Sequence, residues 1–281
     1  MPSATLKIFL VFGDPKRLRT AVLSNWTGKA VAGPRSEIEK VLEREESASA
    51  GVYFLTGIDP ELNKPTVYIG EAETIRDRIK GHLGKDFWNQ VLFFISTDEN
   101  LTKAHIRYLE GRLIDIAKLA ERAVLMNSQR GGSKLPESDQ ADMEIFLEKM
   151  QQVLPALGIE VFVPTVYRQE TEDKLELLNC QIKDLTATGY LTPNGIVVLS
   201  GSQAVLHERA SAKKYTGVLT NRNKLIEEKH IVEEGDHLIF TKDVEFSSPS
   251  AAAAVIHGGS ANGLIAWKTN DGKTLKDLES V

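Results

Sequence analysis

The sequence predicts an α+β fold arranged in two domains. Two β-rich runs, Gly51 to Thr56 and Thr66 to Gly70, flank a turn-forming segment and predict a hairpin. Apolar residues recur at helical spacing over residues 103–122, which predicts a long amphipathic helix. Nearer the end of the chain, residues 186–200 alternate around an Asn194-Gly195 pair that favours a tight turn. Hairpins and helices in these two regions indicate two small α+β domains.

Residues 1–50 are predicted to form an N-terminal extension that packs on the domain after it. The apolar stretch Ile8 to Phe12 indicates a buried strand, because it is too short for the core of a signal peptide and a Gly13-Asp14-Pro15 turn follows. A second strand or turn is predicted around Trp26 to Ala30. Residues 36–46 predict a helix, with Ile38, Val41 and Leu42 at helical spacing.

The first domain is predicted over residues 51–163. After the hairpin come a helix at 74–83, a third strand at 90–96, the long helix, a loop at 130–136 and a helix at 137–154 that Pro155 and Gly158 end. This order predicts a short, mostly antiparallel three-stranded sheet flanked by helices. Residues 164–185 are highly charged and predict a linker or a solvated helix. A second, smaller α+β domain is predicted over residues 186–281, with a helix at 222–229.

Composition limits the classes of protein that the chain can represent. With 281 residues and 42% hydrophobic content, the chain is long enough for roughly two cores. No apolar run reaches the ~20 residues that span a bilayer, and a single cysteine, Cys180, cannot form an internal disulfide. We therefore expect a cytoplasmic protein. The net charge of −5 means that any nucleic-acid contact must use a local basic patch.

Arg78 and His82 lie four residues apart on the helix predicted at 74–83, so they share a helix face and can approach one anion. Arg76 points away from that face. The strand before the helix ends in Gly70, and a glycine lets a backbone come close to a bound phosphate. An arginine fork suits the oxygens of a phosphoryl group in transfer. The alternative is that both side chains lie on a solvated helix face.

Tyr53 and Tyr68 occupy matching places in the two strands of the first hairpin. A tyrosine hydroxyl that faces a phosphate cleft can orient or deprotonate a water molecule. Its ordinary pKa near ~10 means that a base role needs help from a metal or a neighbouring cation. The alternative is that both are ordinary strand aromatics that pack in a core.

Glu110 lies within the apolar stripe of the long helix, among Ile106, Leu113, Ile114 and Ala117. An unpaired carboxylate is costly to bury, so such a residue is usually in a salt bridge or bound to a metal. Arg78 or Arg107 would be the partner in a salt bridge. As a ligand, a single carboxylate suits Mg²⁺, which keeps most of its waters and takes phosphate oxygens from a substrate.

Asn127 follows the apolar run 123–126, where its amide could hold a phosphate or a backbone group. The alternative is an ordinary turn asparagine before Ser128.

The segment from Gly51 to about Arg130 resembles the GIY-YIG nuclease superfamily. The resemblance rests on Gly51-Val52-Tyr53, Tyr68-Ile69-Gly70, Arg78 and His82 on the next helix, Glu110 on a later helix, and Asn127 after it. The first tripeptide departs from the family pattern only in having Val52 for isoleucine. The resemblance implies a small mixed α/β fold with a short, mostly antiparallel three-stranded sheet.

The resemblance also implies a role for each matched residue. Tyr53 and Tyr68 would position or deprotonate the attacking water, and Arg78 would stabilise the pentavalent phosphate. His82 would assist proton transfer or bind phosphate. Glu110 would hold one divalent cation, Mg²⁺ or Mn²⁺, and Asn127 would be a supporting residue. Gly51, Gly70 and Arg76 flank these positions and are predicted to contact the substrate.

Residues 186–281 resemble the RAMA domain that often follows GIY-YIG modules in bacterial proteins, through the stretch 246–253 and the segment from Ser260 to Trp267. Ser250 is predicted to cap a helix through the alanines after it. Trp267 would stack on a base and Lys268 would contact the nucleic acid beside it. A buried tryptophan is the alternative.

The sequence therefore predicts a metal-dependent DNA endonuclease with an N-terminal module that cuts and a C-terminal module that selects the substrate. The alternative function is a catalytically silent DNA-binding or scaffold protein that keeps the nuclease fold. One active site cuts one strand, so a double-strand break would require a homodimer or two sequential events.

Overall fold

The computed structural model describes residues 3–59, 64–120, 122–127, 132–162, 176–209 and 216–278. The chain divides into two compact units, Met1–Pro164 and Thr165–Val281. Both mix helices and strands, which confirms the predicted α+β class at this level of detail. No helix in the described part of the chain is long and apolar enough to span a membrane.

The first unit is built on a seven-stranded sheet. Its strands run in the order β1-β2-β3-β6-β4-β5-β7, and every pair is antiparallel except β5–β7. The strand bounds are β1 Leu6–Leu10, β2 Arg19–Leu23, β3 Gly28–Pro34, β4 Gly51–Ile58, β5 Pro65–Ala72, β6 Gln90–Ser96 and β7 Val124–Leu125. The helices are α1 Ile38–Glu43, α2 Ile75–Lys80, α3 Lys103–Ala120 and α4 Glu137–Val153.

The three strands predicted for this domain are neighbours in the order β6-β4-β5, but the predicted three-stranded sheet is too small. Residues 1–50 do not pack on that sheet as an extension, because β1, β2 and β3 continue it at one edge. β3 pairs with β6 over its full length, and its Ala30, Val31 and Ala32 are completely buried. Small side chains gave this strand a weak sequence signal, which is why only a strand or turn was expected there.

The stretch predicted as a buried strand at 8–12 is instead the outer strand of the sheet. β1 pairs only with β2, and Phe9 and Ile8 are 64% and 41% exposed. β1 thus lies at the edge of the sheet with apolar side chains in solvent. Residues 60–63 of the turn expected at 59–65, and part of the loop expected at 130–136, fall outside the described residues.

Each face of the seven-stranded sheet has its own core, because successive side chains in a strand point to opposite faces. Phe54, Phe94 and their neighbours pack against α3 and α4. Tyr53, Phe93 and their neighbours pack against α1 and α2. Consecutive residues of β4 therefore belong to different cores, and Tyr53 faces the side that carries α2.

The second unit contains two antiparallel sheets with the orders β14-β10-β9-β8-β15 and β11-β13-β12. The strand bounds are β8 Leu178–Ile182, β9 Leu185–Thr192, β10 Gly195–Val198, β11 Gln203–Val205, β12 Ile231–Glu234, β13 His237–Phe240, β14 Val244–Phe246 and β15 Trp267–Thr269. The helices are α5 Thr216–Glu227, α6 Pro249–Ile256, α7 Gly263–Ala266 and α8 Leu275–Leu278.

The hairpin predicted at 186–200 is present as β9 and β10, with Gly195 at a φ of 143° in the turn. The linker or helix predicted at 164–185 is wrong for its last part, because residues 178–182 form β8 and pair with both β9 and β15. Leu178 and Cys180 are buried in the core, and this alternation outweighs the charge of the residues before them. Residues 163–175 lie outside the described chain.

Candidate active site

Tyr53 and Tyr68 form an aromatic cluster with His82 on the α2 face of the sheet. The two tyrosine ring centroids are 6.0 Å apart, and the His82 ring lies 4.8 Å from Tyr68 and 5.7 Å from Tyr53. The antiparallel register of β4 and β5 places Tyr53 opposite Gly70. The cluster thus joins two strands and the segment after α2.

The two tyrosines differ in exposure, and the difference separates their roles. Tyr53 is completely buried, whereas Tyr68 is partly exposed. The Tyr53 hydroxyl lies 3.0 Å from Nε2 of His82 and forms hydrogen bonds with Arg78 and Tyr68. Burial is the main cause of its raised pKa, so Tyr53 stays protonated at neutral pH. Tyr68 is therefore the tyrosine of the pair that keeps some surface in contact with solvent.

His82 lies in the turn after α2, because that helix ends at Lys80 rather than at the predicted residue 83. Its residue is only 4% exposed, so the alternative of a solvated helix face is wrong for His82. Burial, and then the charges of Lys85 and Arg78, lower its pKa to about 4. The imidazole is neutral at physiological pH, and its Nδ1 atom is buried without a hydrogen-bond partner among the described residues.

Arg78 is exposed on the last turn of α2 and contacts the hydroxyls of both tyrosines. The hydrogen bond to Tyr53 is the largest cause of its raised pKa, so the guanidinium stays charged. It makes no ion pair with a described carboxylate. The hydroxyls of Tyr53 and Tyr68 thus hold the guanidinium in place, and its charge remains available to an anion from solvent.

Glu110 projects from α3 to the outer edge of β5, where it accepts a hydrogen bond from the backbone N–H of Glu71. Burial raises the pKa of Glu110, and the nearby Glu71 carboxylate raises it further, against the opposing charges of Arg78 and Arg107. The predicted salt bridge is not formed, because no described cation lies within 4 Å of Glu110. A half-buried carboxylate beside a second one is an arrangement that a bound cation relieves.

The donor set suits a hard divalent cation better than a soft one. No group of three His, Cys, Asp or Glu side chains in the described chain is placed to enclose a metal. One or two carboxylates with water and phosphate oxygens are the usual protein contribution to Mg²⁺, and Mn²⁺ accepts the same ligands. Glu110 fits that role, with Glu71 as its nearest acidic neighbour.

Asn127 binds a strand rather than an open cleft. Its Nδ2 donates to the Ile69 carbonyl at 2.6 Å, and its Oδ1 accepts from the Ile69 N–H at 3.1 Å. β7 pairs with Thr66 and Val67 at the outer edge of β5. Asn127 continues this edge at Ile69, the residue between Tyr68 and Gly70. The Asn127 amide was predicted to hold a phosphate or a backbone group, and in the structure it holds a backbone group.

The glycines of both motifs make room for protein atoms, which differs from the predicted contact with substrate. A Cβ on Gly70 would lie 2.4 Å from the Tyr53 ring, and a Cβ on Gly51 would lie 2.1 Å from the Phe94 carbonyl oxygen. Arg76 is likewise engaged, since its Nε donates to Ser47 at 3.0 Å and its Nη2 to the Arg44 carbonyl at 3.2 Å. These three residues therefore contact other protein atoms and support the site structurally.

Two residues that the sequence analysis did not select also belong to the site. Lys85 has its Nζ 5.6 Å from the centre of the Tyr68 ring. Glu71 follows the second motif directly and forms an ion pair with Lys103 at 3.1 Å. Glu71 directly follows Gly70, and Lys85 lies three residues after His82, so closeness in sequence was a usable signal. Charged residues are, however, common in loops and at strand ends.

In the second unit, the predicted stacking residue Trp267 is wrong as a surface group. It is completely buried, and its Nε1 donates to the Pro249 carbonyl at 3.1 Å. Lys268, the next residue of β15, is exposed because alternate residues face opposite sides. The predicted cap Ser250 is also wrong: Ser248 caps α6, and the Ser250 hydroxyl accepts from the Gly263 N–H at 3.0 Å.

Comparison with known proteins gives one match. Residues 178–279 match the model of a domain of unknown function, DUF4357, which covers the described strands and helices of the second unit. Neither a curated protein nor a solved structure matches the chain. The geometry of the first unit therefore carries the functional argument.

Proposed function

We propose that this chain is a metal-dependent endonuclease that hydrolyses phosphodiester bonds of DNA through a GIY-YIG-type site in its first unit. The observation that supports the proposal most is the convergence of Tyr53, Tyr68, Arg78 and His82 in one hydrogen-bonded cluster. These residues come from two strands and the segment after them, so a purely local packing preference does not explain the meeting. The Glu110 carboxylate lies near this cluster, since the charge of Arg78 acts to lower its pKa.

A scissile phosphate at this site would bind to the exposed Arg78 guanidinium. Its fork can pair with two phosphate oxygens, and the charge that it neutralises grows as the attacking oxygen adds to phosphorus. The hydrogen bonds to Tyr53 and Tyr68 hold the guanidinium before substrate arrives, so little reorganisation is needed. Arg78 thus serves binding and transition-state stabilisation together.

The attacking water would lie against the hydroxyl of Tyr68, the only tyrosine of the pair with exposed surface. From there, hydrogen bonds lead to Tyr53 and on to Nε2 of the neutral His82. These hydrogen bonds hold the Tyr68 hydroxyl that orients the water. Because the pKa of His82 is lowered to about 4, its imidazole is a hydrogen-bond partner and not the base, and the proton of the attacking water passes to bulk solvent.

Glu110, with Glu71 beside it, would hold the Mg²⁺ or Mn²⁺ ion. When bound, such an ion neutralises charge on the phosphate and on the leaving oxygen. Before it binds, the unpaired Glu110 carboxylate keeps a negative charge at the edge of β5 that attracts a cation. The proposed role of the second unit is also to contact DNA. Lys268 is exposed and available for this contact, whereas Trp267 is buried.

The test is nicking of supercoiled plasmid in the presence of Mg²⁺ or Mn²⁺. We expect Glu110→Gln and Arg78→Ala each to lower the rate by about 10²–10³-fold, the loss typical for a group that stabilises transition-state charge. Asp77→Asn is the matched control, because it also changes a carboxylate to an amide but lies exposed beside Arg78. It should cut like the wild type.

Three results would count against the proposal. Full activity in both site variants would remove the mechanism. A wild-type protein that binds duplex DNA but leaves it uncut with every divalent metal would instead support the DNA-binding or scaffold protein. A wild-type protein without affinity for DNA would remove the nucleic-acid function altogether.

A further inference from the structure

The segment from Gly81 to Asn89, here called the α2–β6 loop, is held against the first unit at several points. Trp88 is 2% exposed, and its Nε1 donates to the His82 carbonyl at 3.2 Å. The Asn89 carbonyl accepts from the Arg35 N–H at 2.8 Å. Such contacts fix the path of the loop backbone beside the tyrosine cluster.

The Arg35 side chain adds an anchor from the turn after β3. Its guanidinium donates to the carbonyl oxygens of Leu83 at 2.7 Å and Trp88 at 3.3 Å, and also to that of Lys85. The same group lies 4.5 Å from the centre of the Trp88 ring. Arg35 thus binds three carbonyl groups of the loop backbone with one guanidinium.

Lys85 is the charged group that this anchored loop presents at the site. Its side chain is exposed, and its Nζ lies 5.6 Å from the centre of the Tyr68 ring. It makes no ion pair with any carboxylate in the described ranges. Lys85 and Arg78 therefore form two unneutralised cations that contact the same tyrosine, one from the loop and one from α2.

The Arg78 fork can pair with one phosphate group by itself, which leaves Lys85 available to a second one. A nucleic-acid strand carries a phosphate at every nucleotide, so a strand held at Arg78 brings the next phosphate to the neighbouring cation. We infer that Lys85 binds the phosphate adjacent to the scissile one, and that the α2–β6 loop anchored by Arg35 is a strand-binding element. The site would thus select a polynucleotide over an isolated phosphodiester, an inference that rests on the proposed function.

The first experiment measures the salt dependence of DNA binding. All proteins carry Glu110→Gln so that the DNA stays intact. Binding of a labelled duplex of about 20 base pairs is followed by fluorescence anisotropy at salt concentrations from about 50 to about 300 mM, a range over which phosphate contacts change the affinity strongly. Lys85→Ala should make the slope of log K against log salt shallower by about 0.9, the value for one phosphate contact. Lys16→Ala, in the exposed β1–β2 turn, is the matched control and should keep the parent slope.

Steady-state kinetics separate a binding role from a merely structural one. In the otherwise wild-type protein, Lys85→Ala should raise KM for DNA several-fold and change kcat by less than about twofold, because the contact is made equally in the ground and transition states. A general loss of structure would instead lower kcat and the melting temperature together.

The anchor is tested by a double-mutant cycle. Arg35→Lys keeps the charge but loses the fork that holds three carbonyls, so the loop should no longer position Lys85. We expect it to produce most of the slope change of Lys85→Ala, and to add little when both changes are combined. Fully additive effects would overturn the part of the inference that concerns Arg35.

The outcomes distinguish the inference from the proposed function. If the parent binds DNA and Lys85→Ala keeps both its slope and its KM, the inference fails while the nuclease proposal stands. If the parent does not bind DNA and the wild type does not cut it, the nuclease proposal fails and the inference falls with it.

Discussion

Tyr53 and His82 carry chemical groups that burial has changed from their ordinary behaviour. The Tyr53 hydroxyl has no exposed surface and its pKa is raised, while the pKa of His82 is lowered to about 4. Both are thus neutral at physiological pH, and they meet at 3.0 Å beside a permanently charged arginine. Because both groups are neutral, they are joined by a hydrogen bond and not by an ion pair.

The first prediction concerns the pH dependence of stability. The pKa of His82 is about 4 in the folded protein and ordinarily 6.5, so the unfolded chain binds a proton at this residue more readily than the folded chain does. The free energy of unfolding should therefore fall as pH decreases from 6.5 towards 4, and His82→Gln should lack this part of the fall. Urea denaturation at pH 7 and pH 4.5 measures the difference, and equal pH dependence in both proteins would contradict it.

The second prediction concerns Glu110 in the absence of divalent metal. Because its pKa is raised, the ionised carboxylate destabilises the folded state above that pKa, and this cost disappears when pH falls. Glu110→Gln should stabilise the protein at pH 7 and have little effect near pH 4. The melting temperature in EDTA is the readout, with Asp77→Asn as the control. A destabilised Glu110→Gln protein would show that the carboxylate has a structural partner.

At the scale of secondary-structure elements, strand β5 organises the site. Its Tyr68 and Gly70 face the α2 side, while Ile69 faces the α3 core. Its outer edge is completed by β7, then by the Asn127 amide, then by the Glu110 carboxylate on the Glu71 N–H. The edge is where groups from the two faces of the sheet can meet.

The third prediction tests the close contact between β4 and β5. Gly70→Ala places a methyl group 2.4 Å from the Tyr53 ring, so either the ring or the strand must move. We expect a loss of about 1–3 kcal/mol in the free energy of unfolding, as for overpacked cores. Gly84→Ala is the control, because its methyl group meets no atom within 4 Å. Equal stability of the two variants would show that the contact is readily relieved.

At the scale of the whole molecule, the chain contains two units with separate cores. Leu113 belongs to a core of the first unit and Ile196 to the core of the second, and both are completely buried. Deleting either side chain to alanine should cost about 2–5 kcal/mol.

The fourth prediction follows from this separation. In differential scanning calorimetry, Leu113→Ala should lower only one unfolding transition and Ile196→Ala only the other. The two substitutions are matched in burial and in the loss of a branched aliphatic side chain, so each serves as the control for the other. A single transition that both variants lower equally would show that the units unfold together.

Local patterns in the sequence were enough for many elements. The β-rich runs of β4 and β5, the alternation around the turn of β9 and β10, the helical periodicity of α3 and the stop signals after α4 identified these segments, because all of these signals are local in the chain. Patterns of this kind failed at β3, where small residues pair in the middle of a sheet, and at β8, which lies next to a charged segment.

The sequence by itself determined the types of side chain available for the site: two tyrosines, an arginine, a histidine and a carboxylate in an apolar stripe. Only the tertiary structure decided that Tyr53 is buried and Tyr68 accessible, that Glu110 caps a strand edge instead of forming a salt bridge, and that Lys85 stands beside the cluster. The reason is physical. Side-chain type and spacing are local properties, whereas burial, pKa and hydrogen-bond partners depend on residues that are distant in the chain and meet only when the sheet and helices pack.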